Sequence, residues 1–232
     1  MGALYKLTYE EFKDLVEEKL KIDSWMVYDE SASSRLDRVR DRHYFSSLKT
    51  QAELKGVRAH GYEIISWLDT LNLLYHTLHD VDEEILNRLT IFQEFQIPFT
   101  NKRADYLLVF QNKILILEFS FDKLGKEYKF EAKLNQAVNY KELLSNLLPP
   151  HIKIGTYTFL INPEVDQDGR YILKYNRYTN AEEQANNEKM SDFAAYINLF
   201  FSGGDDALLQ LAYLEGYKDG VEDGSDGEDE TF

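Results

Sequence analysis

The chain has 232 residues, a formal charge of −15 and no cysteine. Its length suits one large domain, or one domain with appendages, and the missing thiols exclude a disulfide framework, a thiolate zinc site and a cysteine nucleophile. The acidity counts against a protein whose main task is coating nucleic acid, because phosphate neutralisation needs a basic face.

From the N-terminus, residues 7–20 fit a helix: Thr8 can cap it, Glu11 stands at the capping-box position, and Leu7, Phe12, Leu15, Val16 and Leu20 suit one face. The segment is acidic and amphipathic, unlike a secretory signal, and no apolar run approaches the roughly 20 residues of a membrane helix. The expectation is a cytoplasmic chain with no membrane contact. IDSWMVYD reads as a short strand or the start of a loop, and 31–60 is polar with weak periodicity. Within 35–58, Arg35, Arg38, Arg40, Arg42, Lys49, Lys55 and Arg58 make a local basic run. A solvated helix face is the common explanation for such a run. Tyr62 to about Leu78 predicts a helix with a wide apolar face.

The period then changes from 3.6 to that of strands. IFQEFQI, ADYLLVF and KILILEFSF predict three strands, with QNK as a compact hairpin turn between the last two. A long helix from about Lys126 to Leu147 is stopped by Pro149 and Pro150. IKIGTYTFLIN predicts a central strand, apolar on both faces, and GRYILKYNRY another. Residues 180–200 and 205–217 are helical in pattern, and 219–232 reads as a disordered acidic tail. The resulting expectation is an α/β fold, a mixed central sheet flanked by helices. Its predicted divisions are an N-terminal extension (1–60), an α/β core (61–178), C-terminal helices packed on the core (179–218) and the tail.

Asp105 opens one apolar run and Glu118 closes the next, so a hairpin brings both carboxylates to one end of the sheet. Two such groups a few ångströms apart repel, and either one pKa rises or a cation binds between them. Magnesium suits them, since it takes oxygen ligands and is held by one or two carboxylates with water and phosphate. Glu118 and Ser120 share a strand face, which makes position 120 the natural place for a cooperating side chain. On the next helix Gln136 and Tyr140 are four apart and share a face.

Asp, then Glu-x-x, then a helix with Gln-x-x-x-Tyr resembles the PD-(D/E)XK, or restriction-endonuclease-like, nuclease core. The nuclease-like N-terminal domain of bacterial Schlafen-type DNA/RNA helicases is the nearer likeness, carried by EIISWLDTLNLLYHTL at 63–78, EFQIPFTNKRADYLLV at 94–109, ILEFS at 116–120 and QAVNY at 136–140. The resemblance spans roughly residues 5–165. It implies metal-dependent phosphodiester hydrolysis of DNA or RNA, with Mg2+ or Mn2+ held by Asp105, Glu118 and Glu63. It also implies Gln136 and Tyr140 near the phosphate, and Lys102 and Arg103, with Ser120, as nucleic-acid contacts. A separate helicase/ATPase or defence-complex subunit would be the partner, and a homo-oligomer is compatible with the sequence. One departure stands out: the family's Lys, two residues after the Glu, is Ser120 here. Lys133, one turn before Gln136, is one candidate substitute for the catalytic cation, although a solvated helix lysine is the commoner environment, and Lys123 and Lys126 on the intervening loop are the others. Without such a substitute, the alternative is a catalytically impaired nuclease fold that binds nucleic acid or protein.

Overall fold

A computed structural model describes residues 2–20, 32–121, 127–161, 175–179, 186–187 and 190–202. The N-terminal segment starts with strand β1 (Tyr5–Thr8), where the sequence predicts helix. Its alternating side chains pair antiparallel with β2 (Thr90–Gln96), and cross-strand pairing takes Leu7 and Thr8 out of the helix. Thr8 then caps α1 (Tyr9–Asp14) with the expected reciprocal pair: Glu11 N–H donates to Thr8 Oγ1 at 3.3 Å, and Thr8 N–H donates to Glu11 Oε2 at 2.8 Å. The chain continues as one π-helical turn over Leu15–Leu20. The weakly periodic 31–60 region holds two helices, α2 (Ala32–Val39) and α3 (His43–Leu54). IDSWMVYD lies outside the described residues.

Helix α4 (Gly61–Leu78) is buried on nearly every side, with the polar Asp69, Thr70, Asn72 and Thr77 enclosed along with its wide apolar face. A short helix α5 (Glu83–Leu86) leads into β2. Strands β2, β3 (Arg103–Phe110) and β4 (Lys113–Phe121) form an antiparallel meander. Gln111 adopts φ +53° in the two-residue turn between β3 and β4, the left-handed geometry such a hairpin needs. Helix α6 (Glu127–Leu147) then crosses over to β5 (Lys153–Ile161), which runs parallel to β4. Strands β6 (Tyr175–Thr179) and β7 (Asn186–Asn187) complete the order β1-β2-β3-β4-β5-β6-β7. β6 falls in the predicted GRYILKYNRY strand, and β5 is central as predicted. The last described helix, α7 (Met190–Phe201), starts ten residues later than the sequence pattern suggests, with β7 occupying part of the difference. Lys123, Lys126, the predicted 205–217 helix and the acidic tail lie outside the described residues.

The sheet separates two cores. On one face Tyr106, Leu108, Leu115, Leu117, Phe119 and Tyr157 pack against α1 to α4 and α7. On the other, Leu107, Val109, Ile114 and Ile116 pack against Tyr140, Leu144 and Leu148 of α6 and its C-terminal continuation. Helices therefore flank both faces of a mixed sheet. Gly155 in β5 allows α7 to dock closely, since a Cβ there would lie 2.8 Å from the Phe200 ring. No helix among the described residues is long and apolar enough to cross a membrane.

Lys113 is a buried lysine far from the carboxylates. Its Nζ donates to Phe200 O at 2.7 Å and Ser202 O at 2.8 Å, closing carbonyls at the end of α7. Burial, and then the charge of Lys153, pull its pKa below the usual lysine range. Lys113→Met is expected to destabilise the protein by about 1.5–3 kcal/mol, the worth of hydrogen bonds from a charged donor. Urea denaturation with amide exchange over 190–202 measures this, and unchanged exchange in that helix would refute the clamp.

Candidate functional site

The β3–β4 ladder ends at the pair Tyr106 and Leu117. One step further, side chains take over from the backbone. Phe119 N–H donates to Asp105 Oδ2 at 2.7 Å, and Asp105 N–H donates to Glu118 Oε1 at 3.3 Å. The strands fork there, and each carboxylate satisfies an amide that the parting strands would otherwise orphan. Strand alternation turns Glu118 toward α6, on the same face as Ile114 and Ile116.

Lys133 of α6 enters this fork. Its Nζ donates to Glu118 Oε2 at 2.7 Å and to Asp105 Oδ2 and Oδ1 at 3.0 and 3.3 Å. Gln136 Nε2 lies 3.0 Å from Glu118 Oε2 and 2.8 Å from Tyr140 OH, and the Tyr140 hydroxyl donates to Arg103 O at 3.1 Å. Positions 133, 136 and 140 form one stripe of the helix, so a single docked face delivers all three groups.

The electrostatics follow from burial. Glu118 is fully buried. Desolvation and the charge of Asp105 push its pKa well above the ordinary carboxylate range, while Lys133 pulls it back. For Lys133, desolvation favours the neutral amine, but the two carboxylates outweigh it and hold the pKa above the usual lysine value. The two shifts point opposite ways for the ion pair, one toward a neutral acid and one toward a charged ammonium. The ammonium decides it, because it has two acidic partners within 3.3 Å. Burial, then the charge of Glu118, pushes the Tyr140 hydroxyl up to about 12, which keeps it a donor at neutral pH.

A second layer of charge lies on the α4 side. Arg103 Nη2 contacts Glu63 Oε1 at 3.0 Å and its Nε lies 3.4 Å from Glu94 Oε2. Glu63 also accepts from His60 N–H at 3.4 Å through Oε2, at the start of α4. Trp67 Nε1–H donates to Glu94 Oε1 at 2.7 Å. Glu94 is buried and non-glycine at φ +52°, a conformation that costs free energy and recurs at functional sites. Desolvation, then the charge of Asp105, raise its pKa to about 8, against the opposing pull of Arg103 and the Trp67 bond. Burial is the largest influence and wins, so Glu94 carries a proton at neutral pH.

Together these groups line a cleft of about 540 Å³ between the N-terminal halves of α4 and α6, with Asp105, Lys133, Gln136 and Tyr140 on one side and Glu63, Trp67 and Glu94 on the other. Asp105, Glu118, Lys133, Gln136 and Tyr140 form one bonded cluster. Glu63 stands on Arg103 in the same cleft, apart from that cluster. Lys102 is exposed, and neither it nor Ser120 lines the cleft. Among the described residues no three His, Asp or Glu side chains converge as a metal cage.

Glu94 and Trp67 escape prediction. In IFQEFQI an acid between Gln93 and Phe95 reads as a solvent-facing strand position, and the left-handed backbone there has no glycine to announce it. Trp67 stands in the EIISW stretch that carries the resemblance, but nothing in the sequence gives its indole a partner. No family model, curated protein or solved structure matches this chain.

Proposed function

We propose that the chain is a PD-(D/E)XK-type nuclease that hydrolyses phosphodiester bonds of nucleic acid, with its cation-bearing side chain on α6 instead of the strand. The observation that carries the reading is the contact of Lys133 Nζ with both Asp105 and Glu118. It supplies a positive charge beside the carboxylate pair, where Ser120 cannot.

The donor set suits a magnesium or manganese ion. Two hard carboxylates meet at the strand fork, and magnesium takes one or two of these with its remaining positions filled by water and phosphate. Bound by Asp105 and Glu118, it would supply Lewis-acid polarisation of the phosphate. The chain's own groups account for the rest. Lys133 is placed to stabilise negative charge growing on the non-bridging phosphate oxygens. Gln136, itself bonded to Tyr140, orients Glu118, and Glu94 and Glu63 hold Arg103 at the cleft wall. In the reaction a water oxygen bonds to phosphorus, one bridging P–O bond breaks, and the departing oxygen takes up a proton, leaving a phosphomonoester and an alcohol.

The same contact favours one other reading. A fully buried Glu118 needs a counter-charge for stability alone, so Lys133 could serve as the structural half of an ion pair in a fold that binds without cutting. Calorimetric titration with magnesium and manganese, followed by cleavage assays on labelled DNA and RNA, separates the two. Metal binding is expected in the wild type and is expected to be lost in Asp105→Ala and Glu118→Ala, along with cleavage. Wild-type protein that binds neither ion with nucleic acid present would remove the hydrolytic reading and leave the binding module.

A further inference from the structure

Tyr62 is the second residue of α4, 54% exposed. Among the large apolar side chains that the described fold leaves exposed, it is the one that lines the cleft. Exposure falls from there inward: side chains of Glu63 and Arg103 are 32% and 27% exposed, Asp105 22%, and Glu118 0%. Tyr62 therefore marks the mouth and Asp105 the floor, with Glu118 buried behind Asp105 and outside the lining. The next residue, Glu63, binds Arg103 Nη2, and Glu94 takes Nε, so among the described residues Arg103 Nη1 has no partner. An aromatic face and an unengaged guanidinium nitrogen thus line the same cleft, outside its floor.

We infer that this entrance selects single-stranded nucleic acid, with one base stacked on Tyr62 and the adjoining phosphate on Arg103. The inference rests on the nuclease reading above and specifies its substrate class. Three observations favour it. The cleft volume of about 540 Å³ falls in the range that encloses one small ligand, which is one or two nucleotides and not a duplex. Glu63 and Asp105 balance Arg103 and Lys133 in its lining, and Glu94 is neutral, so it lacks the basic track along which a duplex backbone is held. Stacking on an aromatic ring needs no such track and tolerates any base, which is how sequence-neutral single-strand binders gain affinity. A recessed floor also demands a flexible strand, because the scissile phosphate must be carried past Tyr62 to reach Asp105 and Lys133.

The test uses the full chain, with fluorescence anisotropy of labelled ten-nucleotide thymidine and uridine strands and a blunt duplex, in EDTA so that nothing is cut. Single strands of one or both sugars are expected to bind at least tenfold tighter than duplex. Tyr62→Ala is expected to weaken single-strand binding by about 10- to 100-fold, the usual worth of one stacked base, while Tyr62→Phe retains it. Circular dichroism and thermal melting verify that both variants fold, as expected for an exposed side chain. Equal affinity for duplex, wild-type affinity in Tyr62→Ala, or no binding of any strand would overturn the inference. Hydrolysis is read separately, by cleavage in magnesium. Tyr62-dependent binding without cleavage removes the nuclease reading alone, and cleavage indifferent to Tyr62 removes the stacking alone.

Discussion

Lys133→Met is expected to lower magnesium-dependent cleavage by about 100- to 1,000-fold, the usual loss when one group stabilising transition-state charge is removed. It is also expected to destabilise the fold by about 3–5 kcal/mol, because Glu118 is fully buried and would keep Asp105 beside it without the shared ammonium. Methionine preserves the length and packing of the stem, so lost volume contributes little. The decisive companion is Ser120→Lys in the Lys133→Met background. Position 120 shares the strand face of Glu118, two residues on, and a lysine there would return the charge to the same carboxylates. The double variant is expected to recover at least tenfold in kcat over Lys133→Met. Cleavage by Lys133→Met at the wild-type rate would show that the ammonium has no part in the chemistry.

Glu94→Gln is expected to change how stability depends on pH. The Glu94 carboxyl has a pKa of about 8 in the fold, against an ordinary 4.5. The folded chain therefore holds this proton more tightly than the unfolded chain does. Its contribution to stability is complete below 4.5 and is lost as the pH climbs through about 8. Glutamine cannot ionise, so the variant avoids that loss. Below the usual carboxylate range the two proteins should differ little, since neutral Glu and Gln are nearly isosteric. By pH 9 the variant should be the more stable, by an amount on the order of 4 kcal/mol. Paired urea titrations from pH 5 to 9 measure the difference directly. Parallel curves would show that Glu94 ionises without penalty, held by Arg103 and Trp67.

Much of this site was legible in the chain because its parts are periodic. Asp105 and Glu118 bound two apolar runs separated by a polar turn, and alternation fixed the face of Glu118. Gln136 and Tyr140 were recognisable from four-residue spacing on a helix whose stop was marked by two prolines. The meander, the crossover and the central β5 followed from run lengths and the two prolines. The strand β1 was not legible, since four residues next to a good capping box carry too little pattern to compete with the helix they precede. The contact of Lys133 depends on the docking angle of α6, which no spacing encodes. Glu63 could be placed on the right helix but not opposite Arg103, for the partner lies 40 residues away. Glu94 was hidden for a different reason: a left-handed residue in mid-strand defeats the alternation rule that strand reading relies on.

Placing the cation on a helix changes what kind of machine the cleft is. A lysine on β4 would move with Glu118 as part of one rigid sheet. Lys133 instead moves with α6, whose seat is the smaller of the two cores, around Tyr140, Leu144 and Leu148. The distance between the ammonium and the carboxylates is thus a mechanical variable, set by how firmly one helix is seated. A slide of α6 would lengthen the contacts of Lys133, Gln136 and Tyr140 together, since all three ride the same stripe. The cleft has, in effect, a clutch: seating one helix engages every α6 group at once, and unseating it releases them together.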